Sequence, residues 1–197
     1  EGKAHVGGKI VAVATALKKL DIAPHTLGPK EGLSLINGTS MMAAIAALVV
    51  HDAARVVELA IRLGTCAFEL VHGFTDVIDE ELHSLRPHPG QEYVARRVRE
   101  LTCDSKLLSQ RESLKKKVVI KDKTYTTDVL LQEVYSLRCI PQIIGPVYEV
   151  CENTARIIEI EINSVTDNPI LSADGKRFLH GGNFHGDYIA TAVDQLK

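Results

Sequence analysis

The sequence predicts a mainly α chain, an up-and-down bundle of long helices carrying one or two small β-hairpins, and three observations point there. Tryptophan is absent and aromatic residues make up 5% of the 197 positions while 45% are hydrophobic. Alanine, isoleucine, leucine and valine must therefore fill the core, as in helix-on-helix packing. A long helical signal runs from Met41 to about Ser84, apolar on nearly every side through Val50 and still mostly apolar through Val71. A second long helix is expected from Val147 to Ser164. The length suits one domain with a sizeable core, and no linker divides it.

In chain order, His5-Val6-Gly7-Gly8-Lys9-Ile10-Val11 predicts a small hairpin that leads into a helix around Ala14 to Leu20. Pro24, Gly28, Pro29 and Gly32 make Asp21 to Gly32 a loop, and Leu33 to Asn37 a compact turn region. Thr39 or Ser40 then caps the long helix, its side-chain oxygen accepting a free first-turn N–H. A helix apolar all round is buried on all sides. A chain this short can hardly surround one by itself, so partner subunits, further chain or both are expected. Arg86-Pro87-His88-Pro89-Gly90-Gln91 breaks the helix, and a polar helix follows from Gln91 to Cys103. Lys115-Lys116-Lys117 and the β-branched residues around Lys121-Asp122 read as a solvated surface hairpin rather than a nucleic-acid patch, because charges of both signs surround them. Leu130 to Leu137 is expected to be helical, with a kink or restart at Pro141 and Pro146. Glu152 and Arg156 stand at i,i+4 spacing for an ion pair. Asp167-Asn168-Pro169 ends the second long helix in a turn, and Asp174-Gly175 centres a tight hairpin over Ile170 to Phe178.

Composition excludes several functions. A formal net charge of −2 gives no preference for nucleic acid or membrane. The apolar tract Met41 to Val50 is too short to span a bilayer. Cys66, Cys103, Cys139 and Cys151 form no Cys-x-x-Cys pair, and His72, His83 and His88 have no metal-ligand spacing, so neither a disulfide framework nor a metal site is expected and a reducing, cytoplasmic compartment is.

Gln132, Tyr135 and Arg138 recur every three residues, so on one helix they would share a stripe and, with an apolar helix continuing, face the protein interior. An amide, a phenol and a guanidinium suit a small carboxylate, which arginine grips through two parallel N–H···O bonds. An amphipathic helix with a solvated polar edge gives the same spacing. Asn37 before a glycine is equally a turn residue. Phe184, in Gly181-Gly182-Asn183-Phe184-His185-Gly186, is equally a core anchor. His185, within glycines, reads as structural rather than as a base.

These segments share one wording. Pro29-Lys30-Glu31-Gly32-Leu33, Ile36-Asn37-Gly38-Thr39, Arg86-Pro87-His88-Pro89-Gly90-Gln91, Tyr135-Ser136-Leu137-Arg138-Cys139 with Pro141-Gln142, Glu161-Ile162-Asn163-Ser164 with Thr166-Asp167-Asn168-Pro169, and Gly181 to Gly186 together resemble the aromatic amino-acid ammonia-lyases in order and over almost the whole chain. The resemblance is closest to the bacterial histidine branch. It implies removal of ammonia from an aromatic L-amino acid to leave an α,β-unsaturated acid, with a 2,3-aminomutase on the same scaffold, or a helical interaction module without activity, as alternatives. It also implies a homotetramer and a 4-methylidene-imidazol-5-one prosthetic group made from an Ala-Ser-Gly triad. Carried over by position, Arg138 would clamp the substrate carboxylate, and Asn37 would bind substrate and hold the prosthetic group. Tyr135 would lie beside that group, Gln132 would support the network, and Phe184 would wall the pocket. The three stretches would then close around one cavity.

The departures are specific. No Ala-Ser-Gly occurs in these residues, and Glu133 stands where many family members have aspartate. The hairpin of Lys115 to Thr127 is longer than in many relatives. The first residue, Glu1, and a final helix already under way at Ala190–Lys197 mark the expectation of a single central fragment, 1–197, inactive alone. The family's proton-abstracting tyrosine would lie upstream and its late glutamate downstream.

Overall fold

A computed structural model describes residues 2–116, 119–121, 124–126 and 131–197. It divides into two compact units, Glu1–Gly38 with Asp167–Phe184, and Thr39–Thr166 with His185–Lys197.

In the first unit, β1 (Lys3–Val6) and β2 (Lys9–Ala12) pair antiparallel with Val6 opposite Lys9. Gly7 and Gly8 both take positive φ, the conformation that a two-residue turn matched to the strand twist demands. Helix α1 (Val13–Lys19) follows directly, and a one-turn helix, α2 (Glu31–Ser34), lies beyond the loop.

The second unit holds the long helices. Helix α3 (Ser40–Leu70) buries Ala43, Ala46, Val50, Val57, Ile61, Thr65 and Phe68, a stripe at three- and four-residue spacing. It stops well before Ser84. His72 adopts a positive φ. A β-carbon on Gly73 would stand 2.1 Å from the Phe68 ring, so the chain turns closely under that side chain. A 3-10 turn at Thr75–Ile78 and the short helix α4 (Glu80–Ser84) complete the stretch. Met41, Leu48, Val56 and Leu63 are 61–76% exposed along the outer face of α3, so this chain does not cover the helix by itself, as expected of a chain this short. Thr39 does occupy the cap position, but without a side-chain cap bond. Its hydroxyl instead donates to Glu161 Oε1 at 2.5 Å.

Helix α5 (Pro89–Leu101) starts with proline in its first turn, where the missing N–H costs nothing. A further hairpin joins β3 (Val119–Lys121) to β4 (Thr124–Thr126), with Val119 opposite Thr126; the residues of its turn, and Leu130 of the expected helix, lie outside the described set. Helix α6 (Tyr135–Arg138) is one turn long, and α7 (Ile140–Ile162) begins two residues later. The restart falls at Pro141, whereas Pro146 sits inside α7. Gly145 before it has no β-carbon to clash with the proline ring. Arg156 donates to Asn153 at 3.0 Å in place of the expected pair with Glu152.

The first unit also contains β5 (Ile170–Leu171) and β6 (Phe178–Leu179), joined through Gly175 at positive φ. The described residues thus hold three hairpins, at the three positions where the sequence predicts them, against the one or two named in the fold class. Helix α8 (Asp187–Gln195) returns to the second unit.

Helix α7 is the hub of its unit, packing on α3, α5 and α8. One core gathers Val57, Ile61, Phe68, Val94, Val98, Ile140 and Cys151; the other gathers Ala43, Ala46, Val50, Ile158 and Ile189. Backbones approach closely where α5 meets α7: a β-carbon on Gly90 would lie 2.1 Å from the carbonyl oxygen of Gly145. The rings of Tyr93 and Tyr148 stack there with centroids 4.0 Å apart. Among the described residues no helix is long and apolar enough to cross a membrane.

Candidate functional site

The helical unit carries a cleft of about 570 Å³ lined by Asp76, Val77, Leu82, Arg111, Gln132, Arg138, Cys139 and Gln142. Pro141 places its two most telling side chains. Because α7 restarts there, Arg138 ends the short α6 and Gln142 opens α7 on the same cleft.

The cleft's two arginines differ. Arg111 is engaged: it forms a fork on the Asp76 carboxylate, with Nη2 3.0 Å from Oδ1, and also donates to the carbonyl of Leu131. Its guanidinium lies 4.3 Å over the Phe74 ring. Hydrogen bonding to Asp76 raises its pKa above the ordinary arginine value, with the nearby charge of Glu133 adding to the effect. Glu133 is 6% exposed. Its carboxylate accepts the backbone N–H of Phe74 and stands 3.9 Å from Arg111. Arg138, by contrast, keeps a buried Nε with no partner, and Gln142 keeps a buried Oε1 in the same condition. A buried polar atom left unpaired costs on the order of 1–3 kcal/mol, so a donor and an acceptor orphaned on one cleft point to a ligand that supplies the complement of each. A carboxylate suits the first and an ammonium or amide N–H the second.

Of the five side chains singled out in the sequence, Gln132, Tyr135 and Arg138 fall in this unit. The structure brings Tyr135 and Arg138 together, with the guanidinium 4.9 Å from the ring centroid. Their expected common helix with Gln132 is corrected. Val134 is extended, and Gln132 lies in a bend before α6. The local reason is Glu133, which turns inward to the Phe74 N–H rather than lying on a helix surface. In this chain Tyr135 is 73% exposed and Gln132 is exposed.

Asn37 and Phe184 belong to the other unit. Asn37 is half-buried and donates through Nδ2 to Asp167 Oδ1 at 2.9 Å and to the Asn168 carbonyl at 3.5 Å. The same carboxylate accepts from Ser34 Oγ at 2.7 Å, from the Asn168 backbone N–H at 2.7 Å and from the Lys30 ammonium. These donors hold Asp167 far below the usual carboxylate range, Lys30 first, then Ser34 and Asn37. Asn168 Oδ1 in turn accepts the Gly181 N–H at 2.9 Å, at the head of the loop that carries Phe184. Phe184 is 42% exposed. Sequence reasoning gave no role to Asp76, Arg111, Gln142 or Asp167. Gln142 and Asp167 stood in quoted motifs, and nothing local marked Asp76 or Arg111.

A family model described as aromatic amino acid lyase matches residues 1–197. The chain is 41% identical over 196 residues to a histidine ammonia-lyase of Gloeobacter violaceus, covering 100% of this chain and 35% of that protein. It is 38% identical over 190 residues to a phenylalanine ammonia-lyase of Nostoc punctiforme, covering 96% of this chain and 32% of that protein. Among solved structures, the phenylalanine aminomutase of Pantoea agglomerans matches with a TM-score of 0.92 at 32% identity, covering 100% of this chain and 39% of that one. The histidine ammonia-lyase of Trypanosoma cruzi matches with a TM-score of 0.80 at 34% identity, covering 100% and 34%. The chain spans about a third of the length of the curated relatives it matches.

Proposed function

The chain belongs to the aromatic amino acid lyase family, and on that premise we propose that its parent protein removes ammonia from an aromatic L-amino acid, histidine or tyrosine ahead of phenylalanine, to leave an α,β-unsaturated acid. The observation that carries this reading is the unpartnered, buried Nε of Arg138 on the cleft. Arg111 is already neutralised by Asp76, so Arg138 is the cation with a donor to give. In this reading it grips the substrate carboxylate, and Gln142 offers its acceptor to the amino group. The β-proton of an amino acid is weakly acidic, so the substrate must be held rigidly and the developing charge met by fixed donors. Tyr135 beside Arg138 limits that guanidinium's swing and Gln132 extends the polar wall; Asn37 and Phe184, in the other unit, keep the substrate-binding and pocket-wall roles that the family resemblance implies. His185 and the histidine ammonia-lyase relatives support the order of substrates.

The 4-methylidene-imidazol-5-one group would supply the electrophile of this chemistry. No Ala-Ser-Gly occurs in these residues, so the group is not made from them and the chain contributes binding and orientation. By themselves the 197 residues are expected to be inactive. The exposed apolar face of α3 supports a homo-oligomer, a tetramer in this reading.

A 2,3-aminomutase is the second reading, favoured by the likeness to the Pantoea agglomerans aminomutase. The full-length protein, given L-histidine, L-tyrosine and L-phenylalanine separately, is expected to release ammonia and a near-ultraviolet-absorbing unsaturated acid from one of the first two. A β-amino acid product would establish the mutase. Turnover of none of them would defeat both readings.

A further inference from the structure

We infer that Asp167 is a positioning residue, which fixes the amide of Asn37 for the substrate through a carboxylate saturated with donors; this rests on the role proposed above for Asn37. The geometry lies within one unit. Oδ1 accepts from Asn37 Nδ2 at 2.9 Å and from the Asn168 N–H at 2.7 Å, while Oδ2 accepts from Ser34 Oγ at 2.7 Å and from Lys30. Lys30 also donates to Ser34 Oγ at 3.2 Å, closing a ring of three side chains. The carboxylate side chain is 14% exposed and its lysine 26%, so both are shielded from water although the surrounding loops are not.

Two consequences follow for Asn37. An ionised carboxylate and a backbone carbonyl only accept hydrogen bonds. The amide of Asn37 faces both, so a flip would set its oxygen against two acceptors, and its orientation is determined. Its position is also tied to a residue 130 positions away, which makes the turn at Asn37 a tertiary feature rather than a local one. The neighbouring Asn168 does the same for the second candidate segment, accepting the Gly181 N–H at 2.9 Å. The Asp167-Asn168 pair therefore anchors both stretches of this unit that carry proposed site residues.

A double-mutant cycle in the full-length protein tests this, with Asn37→Ala, Asp167→Ala and the two combined. The readouts are kcat and KM on the preferred amino acid, the Kd of its unsaturated-acid product, and the melting temperature. Displacing a positioned group costs on the order of 10²-fold in turnover. Asp167→Ala is expected to lose most of what Asn37→Ala loses, and the combined variant to match Asn37→Ala within about twofold. A purely structural carboxylate would lower the melting temperature and cut the rate by the same factor whether or not Asn37 is present, and such additivity overturns the proposal. If Asp167→Ala fails to fold, Lys30→Met enters the same cycle with Lys30→Arg as the rescue, and the same coupling is required. Full activity in Asn37→Ala overturns the proposal while leaving the lyase reading intact. A wild type that turns over no amino acid defeats the lyase reading, and the cycle in product Kd then decides the positioning. Absence of product binding in the wild type overturns both.

Discussion

Each of the two units owes its internal order to a different force. The helical unit buries Ile61, Val94, Phe68 and Val98 to between 0% and 1% exposure, and its helices interlock through glycines. In the other unit Ala16 alone, among the described residues, is buried, while Leu35 and Ile36 are 74% and 84% exposed. Its organising contact is the Asp167 carboxylate and its donors. Apolar packing therefore sets the scaffold under Arg138, whereas charge-assisted hydrogen bonds set Asn37. The first kind of order depends on volume and the second on protonation.

Volume changes should hit the helical unit hardest. Phe68→Ala is expected to cost about 3–5 kcal/mol, measured by denaturant unfolding of the full-length protein. A cost below about 1 kcal/mol would mean that the core is not what holds this unit. Gly90→Ala inserts a methyl where the Gly145 carbonyl lies 2.1 Å away, and α5 must shift from α7. About 2–3 kcal/mol is expected; an unchanged melting temperature would show the helices further apart than described. Thr154 is fully buried, and its hydroxyl reaches the Ala192 carbonyl of α8 at 3.2 Å as well as Val150 in its own helix. Thr154→Val should cost about 1 kcal/mol, and hydrogen exchange should show the loss concentrated in α8.

Acid provides the finest contrast. His83 is 1% exposed, between the Val77 carbonyl at 3.1 Å and the Gln91 amide at 3.0 Å. Burial, and then the charge of Arg99, push its pKa below the ordinary value. The unfolded chain binds a proton near pH 6.5 that the folded chain refuses, so this stabilisation is full above about pH 6.5 and falls as the pH drops below it. Asp167 is depressed in the folded chain, and its contribution is present above the unfolded carboxylate pKa of about 3.9 and declines only below that. Acidification should loosen the helical unit around His83 first. In His83→Gln, the slope of melting temperature between about pH 6.5 and pH 4 should flatten. An identical slope in the variant would assign the acid response elsewhere.

What could be read in the sequence follows the same division. The apolar run from Met41 located α3, the break at Pro87 and Pro89 located the polar helix α5, the body of α7 was expected from Val147, and Gly7-Gly8 and Asp174-Gly175 announced their hairpins. The end of α3 was hidden because it depends on the Phe68 ring closing over Gly73, a contact visible only in three dimensions. The interruption before α6 was hidden too, since Glu133 leaves the helical pattern for a partner 59 positions away. In the candidate site, Arg138 and Tyr135 were legible from their three-residue spacing, and they do meet. Arg111 and Asp76 pair across 35 positions, and Asp167 gathers donors from segments far away, so no local pattern marks them.

Arg138→Ala in the full-length protein tests the central claim most directly, through kcat/KM on the preferred aromatic amino acid and the Kd of its unsaturated-acid product. Loss of a buried charge partner for the carboxylate should cost about 3 kcal/mol, on the order of 10²-fold, in both quantities. Values within about twofold of wild type would remove Arg138 from the site, and with it the reading of the cleft as the place where the carboxylate binds.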